Sequence, residues 1–325
     1  MVKFDYVNAT TLEEVPKLLS GKNGESVILA GGTDLLDRLK ERLVEPKQVV
    51  NIKNIPDLYG VKNGQGLELG ALTTIAEIAS DQKIQQKYVV LAQAAASIAT
   101  PQLRNMGTLG GNLCQRPRCW YYRGRQYPCL KKGGSKCYAA EGLNQYNAIL
   151  GGGPSYIVHP SDLAPALQAL GATLKILGPS GKDEVPVDEF FELPIDNLRG
   201  ENVLQPNEII THITVPEPAA GTRSIYLKFR EKQSTDFAIS SVAAVLLLQG
   251  KRVRTARIVL GGVAPIPWRA QDAEAELHGK PLTETNIDKA ATAAVASATP
   301  MAHNRYKVDL TRNLLRRALQ QLAKA

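Results

Sequence analysis

The sequence predicts an α+β protein of two domains, and three observations predict it. The chain has 325 residues, and a single hydrophobic core stops growing near ~250 residues, so a second core is expected. Short apolar runs of strand length are interspersed with helical stretches. The run Pro216, Glu217, Pro218, Ala219, Ala220 and Gly221 is the best linker in the chain and separates a longer first part from a shorter second one.

In chain order, residues 11–19 read as a short helix: Thr11 can cap, Glu14 stands three residues on, and Leu12, Val15, Leu18 and Leu19 share a face. Ser26, Val27, Ile28, Leu29 and Ala30 form a buried strand that runs into Gly31, Gly32, Thr33 and Asp34 and a helix from Leu35. A strand, paired glycines and a helix start can offer backbone amides to a phosphate; the same turn also serves as a tight connection. Residues 49–52 and 67–71 read as strands, and 89–99 as a buried, alanine-rich helix. Gly107, Thr108, Leu109, Gly110, Gly111 and Asn112 repeat the device, with amides that small residues leave approachable. Two such turns in one domain point to one phosphate-bearing ligand held by both.

Three glycines at 151–153 form a joint before His159, Pro160, Ser161 and Asp162, a loop that Ser161 or Asp162 caps into an apolar helix. Asp162 therefore reads as an N-cap, and His159 as a loop histidine, since no second histidine stands at metal-binding spacing. Residues 173–177 and 183–187 suggest a hairpin, and 208–215 a strand. Past the linker come strands at 225–230, 241–248 and 253–260, then two helices, the second a basic one over 308–323.

All four cysteines, Cys114, Cys119, Cys129 and Cys137, directly follow the second glycine turn. Four thiolates suit one zinc ion, one iron–sulfur cluster or two disulfides. The intervals of four, nine and seven residues make no pair of zinc knuckles, and a long chain with 44% hydrophobic residues has little need of disulfides. Between Cys114 and Cys137 stand Arg116, Arg118, Arg123, Arg125, Lys131, Lys132 and Lys136 with no acidic residue, which would offset the negative charge of a thiolate-ligated cluster. The first glycine turn, far earlier in sequence, is expected to be independent of this insert.

The net charge of +8 is spread along the chain and densest around the cysteines and in the last helix. That distribution suits a solvated face or an acidic protein partner better than nucleic acid. No apolar run approaches the ~18 residues of a membrane span. The start MVKFDYVN lacks a signal pattern, so the expected location is cytoplasmic, or periplasmic by export on a signal-bearing partner subunit.

Five motifs in this order, Ala30-Gly31-Gly32-Thr33-Asp34, Gln102-Leu103-Arg104-Asn105, Thr108-Leu109-Gly110-Gly111-Asn112, Ser161-Asp162 and Tyr226-Leu227-Lys228, resemble the FAD-binding medium subunit of the molybdenum hydroxylases. That family includes carbon monoxide dehydrogenases and the xanthine and aldehyde oxidoreductases, and the resemblance covers essentially the whole chain. The cysteine insert further resembles a subset with an extra four-iron four-sulfur (4Fe-4S) cluster, to which hydroxybenzoyl-CoA reductase and bacterial periplasmic-type aldehyde oxidoreductases belong.

The resemblance implies a two-part FAD-binding domain of the PCMH/vanillyl-alcohol-oxidase type over 1–220, with lobes of about 1–55 and 56–220 and an iron–sulfur insert at 113–140. A smaller α+β C-terminal domain follows over 221–325. It implies that Ala30, Gly31, Gly32, Thr33 and Asp34, flanked by Ile28, Leu29 and Leu35, hold the FAD pyrophosphate and ribitol together with Thr108, Gly110, Gly111 and Asn112. Gln102 and Arg104 would belong to the same site, Asp162 would hydrogen-bond the flavin end, Lys228 would lie near the isoalloxazine, and Ile210 would shield the ring. Cys114, Cys119, Cys129 and Cys137 would ligate the cluster. A large partner would carry the molybdenum cofactor and a small one the 2Fe-2S clusters, with FAD handing electrons to an external acceptor. No catalytic acid, base or nucleophile is expected on this chain. An aldehyde is the first substrate class expected, with hydroxybenzoyl-CoA reductase-like and xanthine dehydrogenase-like enzymes as alternatives. A free-standing flavin oxidoreductase and a zinc-bearing nucleic-acid binder are rivals, but the first leaves the cysteines without a role and the second leaves both glycine turns without one.

Overall fold

A computed structural model describes residues 1–19, 21–22 and 24–324. The fold is mixed α+β and rests on three sheets. In the first, β1 (Asp5–Asn8) and β2 (Ser26–Leu29) each pair in parallel with β3 (Gln48–Asn51). Parallel neighbours need crossovers, and the helices Val15–Leu18 and Leu35–Lys40 supply them. The glycine turn at residues 31–34 therefore emerges at the carboxyl end of a strand, where open parallel sheets bind ligands.

The second sheet is antiparallel, in the order β4-β5-β8-β6-β7, from β4 (Val61–Gly64), β5 (Gly66–Gly70), β6 (Thr173–Gly178), β7 (Gly181–Pro186) and β8 (Ile209–Val215). The third comprises β9 (Thr222–Phe229), β10 (Ser240–Gln249), β11 (Arg252–Gly261) and β12 (Trp268–Arg269), in the order β12-β11-β10-β9.

This third sheet is a partition. Strand side chains alternate between faces, and here Val242, Ala244, Leu246, Ile258 and Leu260 enter a core against the helices Gln271–Leu277, Glu284–Ala293 and Tyr306–Lys324. Tyr226, Ala243 and Val259 on the other face enter the main core, which also holds the helices Val89–Ala96 and Leu163–Ala169. Apolar residues on both faces account for the near-continuous hydrophobic reading of residues 241–248.

Three expectations change in detail. β1 and β4 were not foreseen, because both are largely exposed and lack an apolar face. The chain ends in three helices rather than two. At the start of the helix Leu163–Ala169, Asp162 makes no capping bond; Ser161 Oγ accepts from Ala164 N instead at 3.0 Å.

The cysteine segment has little regular structure beyond the short helix Trp120–Arg123 and the 3₁₀ turn Leu130–Lys132. Packed rings of Tyr121, Tyr127 and Tyr138 hold it together, with centroids 5.0–5.9 Å apart. Buried Lys131 ties it to residues 198–201 through the Leu198 and Gly200 carbonyls and Glu201.

Candidate functional site

The two glycine turns meet. Gly31 lies so close to the end of the helix Pro101–Met106 that a Cβ there would stand 1.8 Å from the Met106 carbonyl oxygen. No other residue permits that approach. Next to it Gly32 takes φ +77°, a left-handed conformation that favours glycine. Among the described residues, the amides of Gly32, Thr33 and Asp34 donate to no protein acceptor, so they are available to a ligand.

The second turn works differently from its sequence expectation. Leu109 N donates to Thr73 O, Gly110 N to Ala71 O, Gly111 N to Thr108 Oγ1 and Asn112 N to Thr108 O. Its amides are thus occupied, and what its glycines provide is space. A Cβ on Gly111 would meet only Thr108 Oγ1, at 2.9 Å.

Between the turns lies a cavity of about 920 Å³, near the upper end of the ~300–1,000 Å³ typical of ligand pockets. Ala30, Gly31, Gly32, Thr33, Asp34 and Leu35 line one side, Thr108, Gly110, Gly111 and Asn112 another, and Ile28 and Ile210 add apolar wall. Asn112 is buried, and its Oδ1 accepts from Ser161 Oγ at 2.5 Å. Leu29, Gln102, Arg104, Asp162 and Lys228 are not on the wall. Leu29 packs with Leu35, Leu39 and Val49, Gln102 is exposed, and Arg104 donates to Ile98 O at 2.7 Å.

Asp162 and Lys228 form instead a buried ion pair at 2.7 Å, each side chain 4% exposed. Tyr226 Oη donates to the other Asp162 oxygen at 2.6 Å. This joint links the third sheet to the first part of the chain, one residue behind Ser161. Nearby His159 is buried against Phe191, and burial pushes it down to about 3, so it is a neutral imidazole at physiological pH.

The sequence reading missed the far wall. Arg38, Arg116, Arg118, Arg125, Lys131, Lys132 and Arg199 also line the cavity, and most come from the cysteine insert, which folds over the first glycine turn. The signal available in sequence was the run of basic residues, but it was assigned to the cysteines. Basic residues of the insert have carboxylate partners outside it: Arg118 and, off the wall, Arg123 reach Asp34 at 3.0 and 2.6 Å, and Arg116 and Lys131 reach Glu201 at 2.6 and 2.9 Å. Burial raises Asp34, but Arg118 and Arg123 outweigh it and hold the carboxyl below its ordinary value. Arg118 in turn is pulled down to about 10 by burial, against the opposing effect of Asp34.

The four cysteines are free thiols, and the expectation that they form one metal site meets a different arrangement. Among the described residues no group of three or more His, Cys, Asp or Glu side chains is placed to hold a metal ion. Cys114 ends the helix Leu109–Leu113 on the cavity wall, where burial, with a contribution from Glu201, pushes it up to about 12. Cys119 accepts weakly from Asn147 Nδ2 at 3.8 Å and lies near Cys137, while Lys132 lies near both Cys129 and Cys119.

A family described as the FAD binding domain in molybdopterin dehydrogenase matches residues 2–218. The chain belongs to the FAD-binding medium subunits of the molybdenum hydroxylases. The CO dehydrogenase flavoprotein C-terminal domain matches residues 224–322. Among curated relatives, this medium subunit is 34% identical over 325 residues to the aldehyde oxidoreductase FAD-binding subunit PaoB of Escherichia coli (strain K12), covering 99% of this chain and 98% of that one. It is 30% identical to the carbon monoxide dehydrogenase medium chain of Hydrogenophaga pseudoflava, over 98% and 96% of the two chains. A solved carbon monoxide dehydrogenase from the same organism superposes with a TM-score of 0.79 at 29% identity, covering 99% of this chain and 97% of that one. The medium subunit is therefore the FAD-binding part of an oxidoreductase, and FAD fits the cavity: unpaired amides and basic side chains suit a pyrophosphate, and the isoleucines suit an apolar ring.

Proposed function

We propose that this medium subunit serves an aldehyde oxidoreductase complex, with a molybdenum cofactor on a large partner and 2Fe-2S clusters on a small one. The observation that carries the reading is the cavity between two glycine turns, in a chain similar over its whole length to an aldehyde oxidoreductase FAD-binding subunit. Gly32, Thr33 and Asp34 would donate their amides to the cofactor's pyrophosphate, and the isoleucine wall would keep water from the ring. FAD, when held there, would supply two-electron chemistry, with an external acceptor as the proposed destination of the electrons. This chain's own residues bind, orient and shield it and supply no acid or base to the substrate. Co-purification with mass identification of the partners, followed by assay with aromatic and aliphatic aldehydes, xanthine and an aromatic CoA thioester, tests the reading. Turnover of xanthine or the thioester alone would replace the aldehyde assignment.

A 4Fe-4S cluster on Cys114, Cys119, Cys129 and Cys137 is the finer part of the proposal. It is supported by the donor set, four thiols on one short segment, and by the basic side chains around them. The expected outcome is about four iron atoms per chain in anaerobically purified protein, and less than half of that in Cys129→Ser. Zinc in place of iron, or unchanged iron in the variant, would remove the cluster from the proposal.

A further inference from the structure

We propose that the cysteine insert holds the first glycine turn in its ligand-binding form through Asp34, which makes Arg118 and Arg123 positioning residues for FAD. The proposal rests on reading the cavity as the FAD site. Three donors from one short stretch converge on a single carboxylate: Arg116 N at 3.2 Å, Arg118 Nη2 at 3.0 Å and Arg123 Nη2 at 2.6 Å. The fork of Arg123 also reaches Asp37 at 3.0 Å, in the helix that follows the turn. Two more of its protons go to Pro117 O and Arg116 O, so the guanidinium is fixed on both sides. Arg118 lies at the same time over the Phe237 ring, 4.8 Å from its centroid, which ties the knot to the C-terminal part.

On its carbonyl side the turn is held by Leu36 N, which donates to Gly32 O at 3.0 Å, and Arg38 stands 3.9 Å from Asp34. Gly32 is at positive φ, and among the described residues the amides of Gly32, Thr33 and Asp34 have no acceptor. A glycine-rich segment whose amides are unbonded has many conformations to lose when a ligand fixes it. Charge-assisted bonds to Asp34, half sheltered from water, remove that freedom beforehand. Only the side chain of Asp34 is used; its amide stays available to the ligand. The insert and the first turn are consequently coupled, contrary to the independence expected from their distance in sequence, and whatever loosens the insert should loosen flavin binding.

The test uses the full-length chain, stripped of flavin and titrated with FAD by fluorescence, with thermal unfolding measured on the same samples. Arg123→Gln and Arg118→Gln should each weaken FAD binding by about tenfold, the factor expected if only a tenth of the molecules keep a competent turn. Arg123→Lys, which keeps the charge but loses the fork, should fall between, and Arg312→Gln on the far helix should match the wild type. Asp34→Asn with Arg123→Gln should be no weaker than Asp34→Asn alone, as for two halves of one contact. Hydrogen exchange at residues 31–36 of the flavin-free chain should be faster in Arg123→Gln, a readout that needs no cofactor. Should Arg123→Gln fold poorly, Arg123→Lys and Asp34→Glu carry the same comparison. FAD affinity within about twofold of wild type in every variant, or additive losses in the double variant, would overturn the clamp. A wild-type chain that takes up no flavin would instead overturn the reading of the cavity, and the exchange experiment would still decide whether the insert orders the turn.

Discussion

Gly31 and Gly111 are glycine for different reasons, and the two substitutions separate folding from binding. A methyl on Gly31 would collide with a backbone carbonyl, so Gly31→Ala must move one turn off the other; a cost of about 1–3 kcal/mol is expected, as for overpacking, with loss of flavin. A side chain on Gly111 meets only a hydroxyl and otherwise enters the cavity, so Gly111→Val should remove flavin while the thermal midpoint stays near wild type. Equal flavin content in Gly111→Val and wild type would move the cofactor elsewhere. Asp34 adds a pH dependence with a definite sign. Its carboxyl is held below the ordinary aspartate value, about 3.9, so the folded state prefers the ionised form. The associated stability is complete above about pH 4 and is lost as pH falls through the lowered value. The stability advantage of wild type over Asp34→Asn should therefore be constant above about pH 4 and shrink as pH falls further, and a difference that does not change with pH would refute it. The glycines were legible in sequence because only geometry demands them there. The arginines were not, because a basic run carries no record of which distant carboxylate it reaches.

At the scale of elements, amphipathic periodicity was informative and edges were not. The periodicity of the last helix predicts docking, on a partner or against its own domain, through Leu310, Leu314, Leu315, Ala318 and Leu322, with Arg312, Arg316 and Arg317 outward. The helix buries Leu315, Ala318, Leu319 and Leu322 against β9, β10 and the helix Glu284–Ala293 and exposes those three arginines; Leu310 and Leu314 are only partly covered. Leu315→Ala or Leu319→Ala should cost about 2–5 kcal/mol by denaturant unfolding. Arg316→Ala removes exposed pairs with Glu284 and Asp288 and should change stability by less than about 1 kcal/mol. A deeper feature of this helix had no sequence signature. Lys307 is fully buried, and its ammonium donates to the carbonyls of Tyr146, Asn147 and Gly262. Lysine at a position of the apolar stripe reads as an interruption until three carbonyl acceptors from two other segments are placed around it.

At the scale of the whole molecule, the joint between the two parts of the chain is an ion pair that was read as something else. Asp162 was expected as a helix cap or a flavin contact and Lys228 as a neighbour of the isoalloxazine. Neither lies on the cavity wall, and they bond each other and Tyr226 in a buried setting. The partition strand β9 presents Tyr226 and Lys228 on one face by the period of two, and the helix Leu163–Ala169 brings Asp162 to meet them, a pairing across 66 positions that no local pattern encodes. A buried pair contributes little over an apolar replacement, but removing one partner leaves a bare charge and costs about 3–5 kcal/mol. Lys228→Met should therefore destabilise the chain by that order, and Asp162→Asn with Lys228→Met should recover part of the loss. The flavin reading predicts something further, because a charge near the ring alters its reduction potential and its visible bands. If Lys228→Met shifts stability while the bound flavin keeps its spectrum and potential, the pair is a joint between domains; if the potential moves as well, Ser161 and Asn112 transmit the change from the joint to the cavity wall. A variant with wild-type stability would show that the pair joins nothing.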